Sequence, residues 1–126
     1  MNMTLFFRVT GITLILAIWV GSLIPLNNIA LPGSDKLHHF VAYGSLMMVW
    51  VLATPQQKMF NHGLIAFACM TMGLAIETTQ GLTPYRFFEW ADALANSVGV
   101  LLGWLLGWLA LRLQSLFSVK RPVTTS

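Results

Sequence analysis

The sequence predicts an all-α fold, an integral membrane four-helix bundle with both termini cytoplasmic, and three observations lead there. Of its 126 residues 56% are hydrophobic and only 9% charged, with a mean hydropathy of +0.72. That leaves too little polar surface to coat a soluble domain of this size. The apolar residues gather into four runs, each close to the roughly 20 residues needed to cross a hydrocarbon core about 30 Å thick at about 1.5 Å per residue. Between the runs stand Pro25, Pro32-Gly33, Pro55 and Pro84, which end helices and turn the chain. One transmembrane domain over residues 1–126 is expected, with spans near 5–24, 35–54, 62–80 and 91–113.

The net charge of +3 comes without a basic run interleaved with aromatics, so nucleic acid is excluded as a partner. Cys69 is the only cysteine and sits among Ala66, Phe67, Ala68 and Met70, which rules out a disulfide framework and predicts a buried, inert thiol. No cofactor motif is present, and no cofactor is expected.

The first span, from Leu5 to Ile24, ends at Pro25. Arg8 followed by an apolar stretch resembles a secretory signal, but Leu26-Asn27-Asn28-Ile29-Ala30 offers no small-x-small cleavage site. It is read as a retained helix with a packing role only. After Pro32-Gly33, Ser34 is a good N-cap for the second span, and Asp35 lies in the first turn, where the helix dipole favours a negative charge. Asp35, His39 and Tyr43 are spaced by four and share one face, with Lys36 and His38 beside them. Interfacial anchoring accounts for His38, whereas His39 and Tyr43 lie deeper.

Pro55-Gln56-Gln57-Lys58 breaks this helix, and Asn61 is the expected cap of the third. His62 is expected at the interface on the side opposite His39. Gly73, Glu77 and Gln80 form one stripe, a small residue below two polar ones. Glu77 lies about one turn, or roughly 5 Å, inside the segment. A carboxylate at that depth should face the bundle rather than lipid. Gly81 to Trp90 then supplies a turn and an aromatic cluster whose Tyr85 and Trp90 suit the headgroup level. Arg86 has two possible fates, snorkelling to lipid phosphate or folding inward to neutralise Glu77 or Asp92.

In the fourth span Glu89, Asp92, Asn96, Gly99 and Gly103 recur at alternating steps of three and four, one stripe that is polar at one end and glycine at the other. Gly99, Gly103 and Gly107 let a neighbouring backbone come close. That neighbour is a helix of the same bundle or of a second copy, so a homo-oligomer through these glycines is an expectation.

Because spans alternate in direction, the start of the second, the end of the third and the start of the fourth share a side. All four acidic residues lie there with only Lys36 and Arg86, while Arg8, Lys58, Arg112, Lys120 and Arg121 lie on the other. An excess of basic residues marks the cytoplasmic side. The polar cluster is therefore expected to open to the outer leaflet.

The blocks Ser34-Asp35-Lys36-Leu37-His38-His39-Phe40, Glu77-x-x-Gln80, Arg86 with Asp92, and Asn96-x-x-Gly99-x-x-x-Gly103 resemble the VanZ-like family of small bacterial membrane proteins. The resemblance covers roughly residues 34–104 and implies a helical protein of the bacterial inner (cytoplasmic) membrane. The family's namesake is associated with resistance to teicoplanin, an acylated glycopeptide, and most members have no assigned activity.

Three readings of the cluster follow. In the first, Asp35, Lys36, His39, Tyr43, Glu77, Gln80, Arg86, Asp92 and Asn96 form a site for a lipid-like or glycopeptide-type amphiphile, with membrane lipids as the other partners and no bound metal. In the second, Glu77 and Asp92 act as an acid/base pair, or Asp35, His39, Glu77 and Asp92 hold a divalent ion in an intramembrane enzyme. In the third, the cluster only bridges helices, at about 0.6 to 2 kcal/mol for each interhelical hydrogen bond.

Overall fold

A computed structural model describes residues 2–25 and 34–118. The Pro32-Gly33 turn and the Lys120-Arg121-Pro122 tail lie outside the described residues. The described chain is all-α, in the order α1 Met3–Leu23, α2 Asp35–Ala53, α3 Met59–Gly81 and α4 Trp90–Ser118.

Local sequence accounts for most of the boundaries. Asn2 caps α1 by accepting the Thr4 N–H at 2.9 Å, and Ser34 caps α2 by accepting the Leu37 N–H at 3.2 Å. The helix expected from His62 begins at Met59 instead. There the carbonyl of Lys58 accepts the N–H groups of Asn61 and His62, so Asn61 lies inside the first turn and Lys58 holds the cap position without a side-chain bond. At the other end of the chain, α4 continues beyond Leu113 to Ser118 because nothing from Gln114 to Phe117 breaks a helix.

α1, α3 and α4 are each long and apolar enough to cross a membrane, with hydropathies of 1.9, 1.5 and 1.7 over their most apolar windows. α2, expected as a span, is not among the three. It carries Asp35, Lys36, His38 and His39 in its first turns and compensates by position. It packs against each of the other three helices, most extensively against α4, while α1 and α4 make no contact among the described residues. A helix enclosed by its neighbours can carry polar groups that a lipid-facing helix cannot. α1 is the contrasting case, with Leu5, Val9, Ile12, Leu16 and Val20 all exposed.

The seam between α2 and α4 is built on glycine. A Cβ at Gly99 would overlap the Phe40 carbonyl and one at Gly103 the Gly44 carbonyl, and at Gly107 it would lie 2.9 Å from Val51 Cβ. Backbones this close bring Asn96 and Asp92, about one and two turns from Gly99 on the same face of α4, against the start of α2. Of the two neighbours expected for this row, a helix of the same bundle takes the place: α2 covers it. Gly99, Gly103 and Gly107 are buried and offer no surface to a second copy while α2 is in place. Around the seam, Tyr43, Leu46, Met47, Val51, Ala66, Cys69 and Val100 form the core, and the Cys69 thiol is buried as its neighbours in sequence foretell.

Candidate functional site at the polar end of the bundle

The start of α2, the end of α3 and the start of α4 meet at one end, with the last turn of α1 beside them. Two of the polar residues there complete helix termini. Glu77, 1% exposed, accepts the backbone N–H of Glu89 through Oε1 at 2.9 Å. Since the Glu89 carbonyl accepts the N–H groups of Asp92 and Ala93, Glu77 sits at the positive end of α4, where its charge meets the helix dipole. Gln80 Nε2 donates to the Ser22 carbonyl at 2.8 Å, and Tyr85 Oη donates to the Leu23 carbonyl at 3.2 Å. Both carbonyls belong to the last turn of α1, which has no helical partner for them.

The charged pairs differ from those expected. Arg86 folds inward, but its Nη2 bonds Asp35 Oδ2 at 3.0 Å, and no ion pair joins it to Glu77 or Asp92 among the described residues. Lys36 Nζ lies 2.9 Å from Glu89 Oε2 and 3.5 Å from Asp92 Oδ1. The reason is geometric. The segment from Leu82 to Glu89 brings Arg86 to Asp35 in the first turn of α2, and the ammonium of Lys36 reaches the start of α4.

Below these pairs lies a drier layer. His39 Nδ1 meets Asn96 Oδ1 at 3.0 Å, and its Nε2 faces Asp35 Oδ2 at 3.9 Å and Asp92 Oδ2 at 3.8 Å. Tyr43 and Asn96 pack on Gly73, where a Cβ would come 2.9 Å from Asn96 Nδ2 and 3.2 Å from Tyr43 Cε1. Glycine at that position therefore makes room for the polar layer. Four buried atoms here have no hydrogen-bond partner, namely Tyr43 Oη, Glu77 Oε2, Asp92 Oδ1 and Asn96 Nδ2. Buried polar atoms are nearly always paired, and each unpaired one costs about 1 to 3 kcal/mol.

A cleft of about 330 Å³ opens beside this layer, between α1, α2 and the end of α3. Asp35, His38, His39, Gln80 and Arg86 line its polar end, and Leu14, Ala17, Ile18, Gly21 and Ala42 line its apolar wall. Tyr43 and Ser22 stand between the two. Sequence reasoning assigned α1 to packing alone and His38 to interfacial anchoring, yet both contribute to the cleft. The steps of three and one from Leu14 through Ala17 and Ile18 to Gly21 were the available signal, a face of α1 that ends in small residues. Glu89 was seen on the α4 stripe but not ranked with the site, and it holds Lys36 in place.

The opposite end carries Arg8, Lys58 and Arg112, with the Arg112 guanidinium 5.1 Å from the Trp108 ring. His62 is not interfacial there. It is 4% exposed, and its Nε2 donates to the carbonyl of Thr54, the C-cap of α2, at 3.0 Å.

A family model described as VanZ/LLP1 matches residues 1–111. No curated protein and no solved structure matches. A match over that much of the chain agrees with the sequence blocks between Ser34 and Gly103, and the chain belongs to the VanZ/LLP1 family.

Proposed function

We propose that this membrane protein binds a lipid-like or glycopeptide-type amphiphile in the cleft between α1, α2 and the end of α3. The polar head lies against Asp35, His38, His39, Gln80 and Arg86, and the apolar chain lies along Leu14, Ala17, Ile18 and Ala42. One observation carries the reading: a single cleft is polar at the end where the charged residues gather and apolar along the membrane-facing helices. Pockets that bind small molecules have this character, an apolar wall with a few convergent polar groups. The resemblance to the teicoplanin-resistance family points the same way, because teicoplanin joins a polar glycopeptide to an acyl chain.

The residues divide their work within this reading. Asp35 and Arg86, already paired at 3.0 Å, present both signs of charge to a head group, while His39 adds a ring held in place by Asn96. Glu77 and the Lys36–Glu89 pair fix the start of α4. In the same proposal the chain is a multi-pass protein of the bacterial cytoplasmic membrane with its polar end on the outer side. The basic excess at the opposite end supports that orientation.

The orientation is tested with single cysteines at Gln57 and Thr83 in a Cys69→Ser background. A membrane-impermeant thiol reagent should label only Thr83→Cys in intact spheroplasts, and labelling of Gln57→Cys alone reverses the orientation. Binding is tested with Gly21→Leu. Gly21 lines the cleft and a Cβ there meets nothing within 4 Å, so a leucine has open space at its root, is expected to fill part of the cleft, and improves helix propensity. In nanodiscs the variant should melt no lower than wild type yet bind teicoplanin at least about tenfold more weakly, a loss of about 1.4 kcal/mol. Vancomycin, which lacks the acyl chain, should bind both proteins weakly. Equal teicoplanin affinity for wild type and Gly21→Leu contradicts the proposal.

A further inference from the structure

We propose that Asp35, His39 and Asp92 form a binding site for a divalent transition-metal ion of the Zn²⁺ or Mn²⁺ class. The site stands independently of the amphiphile reading, although Asp35 and His39 also line the cleft.

Distance is the first argument. One ligand atom from each of the three residues lies within 4.8 Å of the others. The separations from His39 Nε2, 3.9 Å to Asp35 and 3.8 Å to Asp92, are too long for hydrogen bonds. They exceed by only a few tenths of an ångström the roughly 3.4 Å between two ligand atoms on a tetrahedral ion with bonds of about 2.1 Å. Small side-chain rotations close that gap.

The second argument is the ring's orientation. With Asn96 Oδ1 at 3.0 Å, His39 Nδ1 carries the hydrogen and donates it. The lone pair is then on Nε2, directed between the two carboxylates. Metal-ligating histidines are held this way, with the distal nitrogen bonded to an outer oxygen that sets the tautomer.

The third argument concerns Asp92. Its side chain is only 4% exposed, and Oδ1 has no hydrogen-bond partner. The Lys36 ammonium at 3.5 Å is drawn off towards Glu89 at 2.9 Å. A buried carboxylate held so loosely is short of a counter-charge. The same end carries four carboxylates, Asp35, Glu77, Glu89 and Asp92, with the two permanent cations Lys36 and Arg86 among the described residues. A dication would balance the formal charge.

The donor set selects the ion. One imidazole with two carboxylates suits zinc or manganese, whereas calcium and magnesium favour oxygen alone. Lys36 lies beside Asp92 Oδ1 and leaves Oδ2 to the ion, whereas Arg86 bonds Asp35 Oδ2, the oxygen that faces His39 Nε2, so the ion shares that oxygen with the guanidinium or takes Oδ1 after a turn of the carboxylate. Three protein ligands also leave a coordination position for water or for a ligand group.

The test uses protein without a histidine tag, stripped with chelator, exchanged into nanodiscs and equilibrated with Zn²⁺ or Mn²⁺. Elemental analysis after gel filtration should find one ion per chain, with Zn²⁺ held more tightly than Mn²⁺ and neither displaced by equimolar Mg²⁺ or Ca²⁺. His39→Gln and Asp92→Asn should each abolish stoichiometric loading, Asn96→Ala should weaken affinity roughly 10- to 100-fold, and His38→Gln should leave it unchanged. Cobalt substitution should give visible bands that His39→Gln removes. Asp35→Asn alters an exposed side chain at the helix start and carries the test if the buried variants do not fold. Loading of Asp35→Asn equal to wild type overturns the proposal, as does loss of the ion in His38→Gln to the extent seen in His39→Gln. Gly21→Leu alters none of the three ligands and should load metal as wild type does, so failure of this site and failure of the amphiphile site are read separately.

Discussion

His39 and His62 are both buried, at 8% and 4% exposure, near opposite ends of one bundle, yet their surroundings differ in kind. His62 closes a helix end. Its Nε2 donates to the Thr54 carbonyl at 3.0 Å with Thr54 Oγ1 at 3.3 Å, and Thr54 Oγ1 in turn bonds the Trp50 carbonyl at 2.7 Å. That satisfies an orphan carbonyl at the end of α2. His39 caps nothing. Its ring is fixed by a side chain of another helix, and its free nitrogen faces two carboxylates across distances that no hydrogen bond spans. Burial of a polar residue in a membrane bundle is thus not evidence of function by itself. What its second polar atom meets is the discriminating fact.

The largest expected effect removes the platform on which that difference stands. Gly103→Val drives a side chain into the Gly44 carbonyl and should separate α4 from α2, at a cost of about 3 kcal/mol or more. The thermal melt should collapse. A melt close to that of wild type would mean that the α2–α4 seam is looser than described and does not hold Asp92 and Asn96 against His39.

Replacing each histidine in turn sharpens the comparison with smaller effects of opposite kind. His62→Gln should cost about 1 to 2 kcal/mol of stability, the worth of a buried hydrogen bond whose acceptor is left unpaired, and should leave ligand affinity unchanged. His39→Gln should lower the melt less and weaken teicoplanin binding by roughly tenfold, about 1.4 kcal/mol. Parallel titrations and melts of the two variants in nanodiscs check this. Equal losses of stability with equal affinities would place both residues in the structural class.

The sequence made the helices legible because apolar runs of membrane length leave few alternatives, and the α4 stripe from Glu89 to Gly103 predicted one face correctly by helical spacing alone. Gly73 was legible as a small residue on a polar stripe, though not as the space for Asn96 and Tyr43. Pairing was not legible. Arg86 to Asp35 and Glu77 to the Glu89 N–H depend on the path of the segment from Leu82 to Glu89, which has no periodicity to read. The central position of α2 was hidden for a related reason, since its reduced apolarity makes sense only once three neighbours enclose it. The cleft was missed because α1 has no buried polar side chain, and its part is played by an apolar wall and by the carbonyl of Ser22.

The most direct measurement of the central claim is a cross-linking map made with a teicoplanin analogue that carries a photoreactive group near the end of its acyl chain. After irradiation in nanodiscs and digestion, the labelled residues should fall on α1 between Leu14 and Gly21 and on α2 near Ala42, and Gly21→Leu should remove the labelling. Adducts concentrated instead on the Met59, Leu101, Trp104 and Trp108 face, which forms a separate apolar groove, or spread evenly over the exposed leucines of α1 and α4, would contradict a head-and-tail site in the cleft.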